Sequence, residues 1–522
     1  MHFYLEVTLD GKFSLNEKFG NYTASLEVIN NLASGVIIQT KRDAQRIIFS
    51  RKPNEIEIDE SCDRQVFIRM IKDFGAILSS NPELLFERGK ANLNHNYFAQ
   101  YIFCGPIPTT STPFSDIYYL SPGSRVCLKK QTIRLGVTPP PRKSNFIAAL
   151  DDLIERKTRD KKAVSIEFSG GLESSVLLHS VINSKYNGSL ELIHATDSES
   201  GEADDLTRVR QLADLYNLNL TVIDQQDAIP FQIKKCASLR PNFPHSGLVN
   251  IDYIDILSEV ALSDDALILN GCGGDSLFRS WPQSWLSLEL IRSGKPLSAL
   301  KWIYHLSDYT RSSFGLTIVD SLKDYKEIKL KISNPGLYFA KPTIASGILS
   351  KEYQPEEFIC QLRDFAGAAS MSVRERYIDA LLNQHEMLSS PIASIPGCYY
   401  TPFLSDESIS SSLAIPSTKL LKNKINRYEL RKLAVDKYGA PSLWHTRKGS
   451  FTGLTQRCIQ RNKRQIEEFI LGGYFSRFLD TDRVRQEITA VAAGVRKCPS
   501  VILNLFTAGI FVHHWRGRVY DI

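Results

Sequence analysis

Two short glycine-rich stretches hold the residues best suited to chemistry. The first, Ser169-Gly170-Gly171-Leu172-Glu173-Ser174-Ser175, follows the run Val164-Ser165-Ile166-Glu167-Phe168 and opens a helix-like segment. A glycine pair lets backbone N–H groups approach phosphate oxygens, small hydroxyls add hydrogen bonds, and a helix N-terminus contributes positive potential, so this stretch is an anion cradle by construction. It lacks the fixed lysine of the G-x-x-x-x-G-K-[ST] nucleotide loop, and taken alone it also reads as a structural turn. The second stretch, Asn270-Gly271-Cys272-Gly273-Gly274-Asp275-Ser276-Leu277-Phe278, again follows a buried-looking run, Ala266 to Leu269. Each carries an acid, Glu173 and Asp275. Two carboxylates sharing one ion with a bound polyphosphate are the hard oxygen set that Mg²⁺ prefers.

Such loops need strands behind them. Beyond residue 145, short apolar runs alternate with helical patterns: 163–168 then 172–183, 190–195 then 203–216, 218–223, and 266–269. Strands separated by helices imply βαβ crossovers and a parallel sheet with helices on both faces, with ligands beyond the carboxyl ends of the strands. From about residue 281 the chain reads as mostly helical and closes with an apolar segment, Val501 to Val512. The opening is different. Phe3, Leu5, Val7 and Leu9 alternate with His2, Tyr4, Glu6 and Thr8, Asp10-Gly11 supplies a hairpin turn, and Phe13 and Leu15 resume the pattern. Further strand-like runs at 46–50 and 116–120 predict an antiparallel-rich domain. Three consecutive prolines within Gly136–Ser144 stiffen the chain and predict a linker there.

At 522 residues the chain is long enough for two domains or three. With 43% hydrophobic and 23% charged residues it is neither disordered, collagen-like nor coiled-coil in composition. No apolar stretch reaches the roughly 20 residues that span a bilayer, and the N-terminus lacks a signal core, so a soluble, unexported protein is expected. Nine cysteines without a C-x-x-C pair argue against a disulfide framework and fit a reducing cytoplasm. His385-Glu386 and His513-His514 lack the partners of a metal site. The net charge of +6 is unevenly spread: Lys419 to Arg464 holds 13 Lys/Arg against two acids, a local +11 that leaves the remainder at −5. A nucleic-acid patch, a polyphosphate or acidic-peptide pocket, and a solvated face all fit that excess.

The motifs resemble one family in particular. S-G-G-L-E-S-S looks like the pyrophosphate-binding S-G-G-L-D-S-S loop of the asparagine synthetase family, and N-G-C-G-G-D-S-L-F resembles its S-G-E-G-A-D-E-L-F loop. Thr401-Pro402-Phe403-Leu404 resembles its V-P-F-L-D stretch, Arg427 to Arg431 its K-Y-x-L-R, and Trp444 to Phe451 its W-R-x-K-x-x-F. Thr112 to Gly123 looks like the close of its glutaminase domain. The resemblance implies an N-terminal antiparallel, Ntn-type αββα glutaminase-like domain over 1–140. Over 141–522 it implies a parallel-sheet α/β ATP-pyrophosphatase (PP-loop) adenylating domain with a mostly helical C-terminal part. It further implies ATP and Mg²⁺ as cofactors. Ser169, Gly170, Gly171 and Ser174 would cradle phosphates, Glu173 and Asp275 would hold the metal, and Asn270 and Gly271 would line the nucleotide site. Lys448 would neutralise charge developing on the α-phosphate and the departing pyrophosphate.

Three departures narrow this. Family glutaminases expose a cysteine after Met removal, but position 2 is His2, so glutamine hydrolysis lacks its nucleophile. Cys272 stands where asparagine synthetases have Glu and β-lactam synthetases Tyr. It is a candidate catalytic residue, but a thiol of pKa about 8.5 is a weak general base, and it also reads as a small residue giving room to the substrate. A peptide α-amine, pKa about 7.7 to 8.0, needs little help. Glu173 replaces the usual Asp, adding a methylene. The pattern is similar to lasso peptide cyclases, which join a precursor's N-terminal amine to an Asp or Glu side chain. That resemblance implies a core-peptide substrate, a leader-binding protein, a leader peptidase, and no nucleic acid. A small-molecule amide or β-lactam synthetase, and a non-catalytic nucleotide- or nucleic-acid-binding protein, are the alternative expectations.

Overall fold

The alternating opening pairs as its pattern requires: Tyr4–Thr8 runs antiparallel to Phe13–Leu15, with Leu5 opposite Leu15. This computed structural model describes residues 4–8, 13–15, 27–28, 35–40, 43–52, 55–58, 65–106, 109–121, 123–134, 137–138, 145–199, 206–224, 230–233, 241–260, 266–278, 282–333, 348–350, 353, 364–365, 399–446, 452–495 and 500–520. The hairpin joins Gly75–Ser79, Val66–Ile71 and Tyr118–Leu120 in a five-stranded antiparallel sheet. The last strand is shorter than expected because Asp116 takes a positive φ of 62° and turns the chain before it. A second, six-stranded antiparallel sheet includes Asp43–Lys52, Glu55–Ile58 and Arg125–Cys127.

Successive strand side chains point to opposite faces. Ile56, Ile58 and Val126 of the second sheet therefore share one buried cluster with Val66, Ile68, Ala76 and Leu78 of the first. Phe67 and Tyr119, on the opposite face of the first sheet, enter a different cluster with the helix His95–Cys104. The first sheet is thus covered on both faces. The C-terminal helix Ser500–His514 completes this layer, with a hydrogen bond of 2.9 Å between the Tyr101 and Thr507 hydroxyls and Trp515 packed on Phe86 and Phe114. An apolar run buried nearly all round belongs to a core. No helix among the described residues is long and apolar enough to cross a membrane. Of the expected linker, Val137–Thr138 pairs parallel with Asp364–Phe365, and 139–144 lie outside the described residues.

The expected parallel sheet has five strands in the order Asn219–Asp224, Ser189–Thr196, Ala163–Glu167, Ala266–Leu269, Tyr399–Tyr400. The inner strands Ala163–Glu167 and Ala266–Leu269 are buried in their interiors because both faces are covered, whereas the edge strand Asn219–Asp224 is largely exposed. Leu192, Leu267 and Leu269 meet the helices Phe146–Thr158 and Leu172–Asn183, while Ile193 and Ile268 meet the helix Ile251–Val260. The first three strands in chain order step outward in one direction, and the fourth returns to the other side of the first. The topological switch therefore falls between Ala163–Glu167 and Ala266–Leu269, the two strands that carry the glycine loops. A crevice opens beyond the carboxyl ends of strands at such a point.

Candidate functional site

The first loop leaves the central strand at Glu167. Gly170 takes φ 72°, a conformation that costs a residue with a Cβ and that glycine adopts freely. Gly171 then caps Leu172–Asn183 in an extended conformation with no side-chain capping bond, so no N-cap side chain occupies the first helical N–H groups. The Ser169 hydroxyl lies 3.3 Å from both Gly171 N and Ser174 Oγ, closing the loop on itself. Ser169 is exposed, while Glu173 and Ser174 are buried.

The second loop touches the first through its glycines. A Cβ on Gly271 would stand 2.9 Å from Glu173 Cβ, and one on Gly274 2.5 Å from Glu173 Cγ. These glycines make room for the Glu173 stem, including its extra methylene, besides whatever backbone approach they allow a ligand. Asn270 holds the loop at its root, its N–H donating to Tyr400 O at 3.0 Å and its Oδ1 accepting from Cys272 N at 2.6 Å. The Cys272 side chain is exposed.

The acids of the two loops converge on a residue that the sequence motifs left without a role. Arg427 Nη1 donates to Glu173 Oε1 and, at 2.6 Å, to Asp275 Oδ1. A buried carboxylate needs such a partner, since desolvation of an unpaired charge costs several kcal/mol. Two oxygens meeting at one atom define a cation position. Among the described residues no group of three or more His, Cys, Asp and Glu could hold a metal. One or two carboxylates are what a protein gives to an ion whose other ligands are phosphate oxygens and water. One turn on, Arg431 is buried and donates to Leu443 O at 2.7 Å and His445 O at 2.6 Å, fixing the segment that leads to position 448. Burial, then neighbouring Arg427, pushes its pKa down to about 10. Lys448 itself lies outside the described residues.

A second cluster was not foreseen. Glu167, the last residue of the central strand, accepts from Tyr253 Oη at 2.6 Å, from Asn270 Nδ2 and from Tyr399 Oη. It ties the helix Ile251–Val260, the second loop and the edge strand to the root of the first loop. Burial first, and the Glu167 charge second, hold both phenols well above their ordinary pKa, so they remain donors at neutral pH. The one available signal was an acid closing an otherwise apolar strand.

Among the described residues, more than half of the cations of the basic segment pair with acids of the same chain. Lys419 pairs with Glu429, Lys424 with Asp308, Arg457 with buried Asp197, Arg461 with Glu199 and Arg464 with Glu468. Thr401–Leu404, expected from its motif, places Phe403 in the core against Phe146 beneath the second loop.

No protein-family model matches the chain. It is similar to the microcin J25-processing protein McjC of Escherichia coli, at 22% identity over 411 residues, 78% of this chain and 71% of that protein. Among solved structures it is similar to a U34-tRNA thiolase, NcsA of Methanococcus maripaludis with its [4Fe-4S] cluster, at 13% identity and TM-score 0.19, over 28% of this chain and 51% of that one.

Proposed function

We propose that the chain is an ATP-dependent lasso peptide cyclase, in which a degenerate glutaminase-like domain over 1–140 precedes an adenylating domain over 141–522. The observation that carries this reading is the pair of glycine loops at the switch point of the parallel sheet, their acids converging on one cation position. Similarity over most of the chain to a microcin J25-processing protein supports this reading.

In this reading the Ser169–Ser174 loop receives the phosphates, and Glu173 and Asp275 would hold Mg²⁺, which would supply positive charge to offset that of the phosphates. Asn270 and Gly271 border the nucleotide, and Lys448 balances charge on the α-phosphate and leaving pyrophosphate. An Asp or Glu side chain of the core peptide attacks the α-phosphorus and pyrophosphate leaves. The peptide's α-amine then attacks the activated carbonyl, AMP leaves, and a macrolactam forms. Holding amine and acyl group in one folded peptide converts the second step into an intramolecular one, worth up to about 7–11 kcal/mol where alignment is good. A leader-binding protein and a leader peptidase would supply the core peptide.

The test is direct. Purified protein, Mg·ATP and leaderless core peptide should yield AMP and a product lighter by one water. Absence of both refutes the reading, and pyrophosphate release with single amino acids instead of peptide would make the chain a small-molecule amide synthetase.

A further inference from the structure

The guanidinium between Glu173 and Asp275 is unusual in three respects. The residue is 4% exposed, the guanidinium Nε is buried without an acceptor, and Arg427 sits at φ 54°, a backbone region uncommon for residues other than glycine. An arginine carries five donors in a rigid fork. Here a single nitrogen, Nη1, serves both carboxylates while Nε serves nothing, beside a loop shaped for an anion. Each carboxylate thus has a charged partner, while the guanidinium keeps a buried donor without an acceptor.

We propose that Arg427 is a resident counter-ion standing where the metal would bind, so that a divalent cation enters only together with a polyphosphate. Without nucleotide, Arg427 neutralises Glu173 and Asp275, and a free cation meets like charge at short range instead of two open oxygens. When phosphates enter the Ser169–Ser174 loop, the fork turns its under-used donors to their oxygens, the bidentate recognition for which arginine is suited. The two carboxylates are then released to the cation that the phosphates carry. Arg427 is a positioning residue in this scheme: hydrogen bonds and ion pairs are exchanged and no covalent bond changes. The scheme rests on the nucleotide reading of the site given above.

The experiment measures Mn²⁺ binding by electron paramagnetic resonance on the full chain, wild type against Arg427→Gln, without nucleotide. Glutamine keeps a donor for the buried Glu173 but removes the charge. The variant should bind Mn²⁺ at least about tenfold more tightly than wild type and be stabilised by it against heat, as expected when a like charge is removed from a partly buried site. Equal Mn²⁺ affinity in the two proteins overturns the proposal. If the variant does not fold, wild type decides: Mn²⁺ alone binding as tightly as with a non-hydrolysable ATP analogue overturns it, and much weaker binding supports it. Failure of wild type to bind ATP with any cation would sink the nucleotide reading, whereas tight nucleotide-free Mn²⁺ binding beside normal ATP binding would sink only the role of Arg427.

Discussion

Replacing Glu167 by glutamine leaves one acceptor oxygen where three donors arrive. In the native site Oε1 takes Tyr253 and Oε2 takes Asn270 and Tyr399. The amide oxygen serves Asn270 and Tyr399 best, and the amide nitrogen then faces the Tyr253 hydroxyl, which must turn to accept from it instead of donating. Three charge-assisted bonds fall to neutral strength, about 1–1.5 kcal/mol each. The expected loss is about 3–5 kcal/mol, large against the 5–15 kcal/mol by which domains are ordinarily stable. Urea unfolding should show it as an earlier transition, and hydrogen exchange should show faster opening of the second loop, where Cys272 N–H depends on Asn270. A second readout is independent of stability: in E167Q the phenols of Tyr253 and Tyr399 should titrate at lower pH, since the Glu167 charge is the cause ranking after burial. An unfolding midpoint within about 0.5 kcal/mol of wild type, with an unchanged tyrosine titration, would show that Glu167 does not hold the loops as described.

Further perturbations test other links. Gly274→Ala places a methyl group against the Glu173 stem and should cost about 1–3 kcal/mol and weaken ATP binding in calorimetry; unchanged affinity would mean that the loops yield. Burial, then nearby His514, holds His245 well below its usual pKa, so the folded protein resists a proton that the unfolded chain accepts below about pH 6.5. Stability from this residue is thus present above that pH and lost as pH falls toward the depressed folded value. His245→Asn, which keeps an acceptor for Gly247 N–H, should flatten urea midpoints compared between about pH 7.5 and 5.5. Tyr101→Phe removes a buried bond between the helices His95–Cys104 and Ser500–His514 and should cost about 1 kcal/mol, since Thr507 keeps a bond to Leu503 O; a cost above about 3 kcal/mol would imply a larger network.

Much of the local architecture was legible in the residues. The strand Ala266–Leu269 and the helix Leu172–Asn183 fall where apolar period and glycine placed them. The hairpin partners Tyr4–Thr8 and Phe13–Leu15 followed from alternation and the Asp10-Gly11 turn signal, which itself lies outside the described residues. Periodicity and turn chemistry are properties of neighbours in the chain, and a strand or helix start answers to them. The two glycine loops were visible for the same reason, each being a contiguous run.

Tertiary structure decided what those loops face. Arg427 lies 254 residues from Glu173 and 152 from Asp275, and its motif offered no reason to place it between them. Glu167 finds donors 86, 103 and 232 residues away, one of them on an edge strand of two residues, too short to carry a period. Composition left the basic segment open to an external anion or to solvent, and the fold instead brings Arg457 to Asp197 and Arg461 to Glu199, 260 and 262 residues away. Composition counts charges, but whether a charge is matched depends on which strand lies beside which. That order is set by burying both faces of the sheet at once, a condition that no single segment contains.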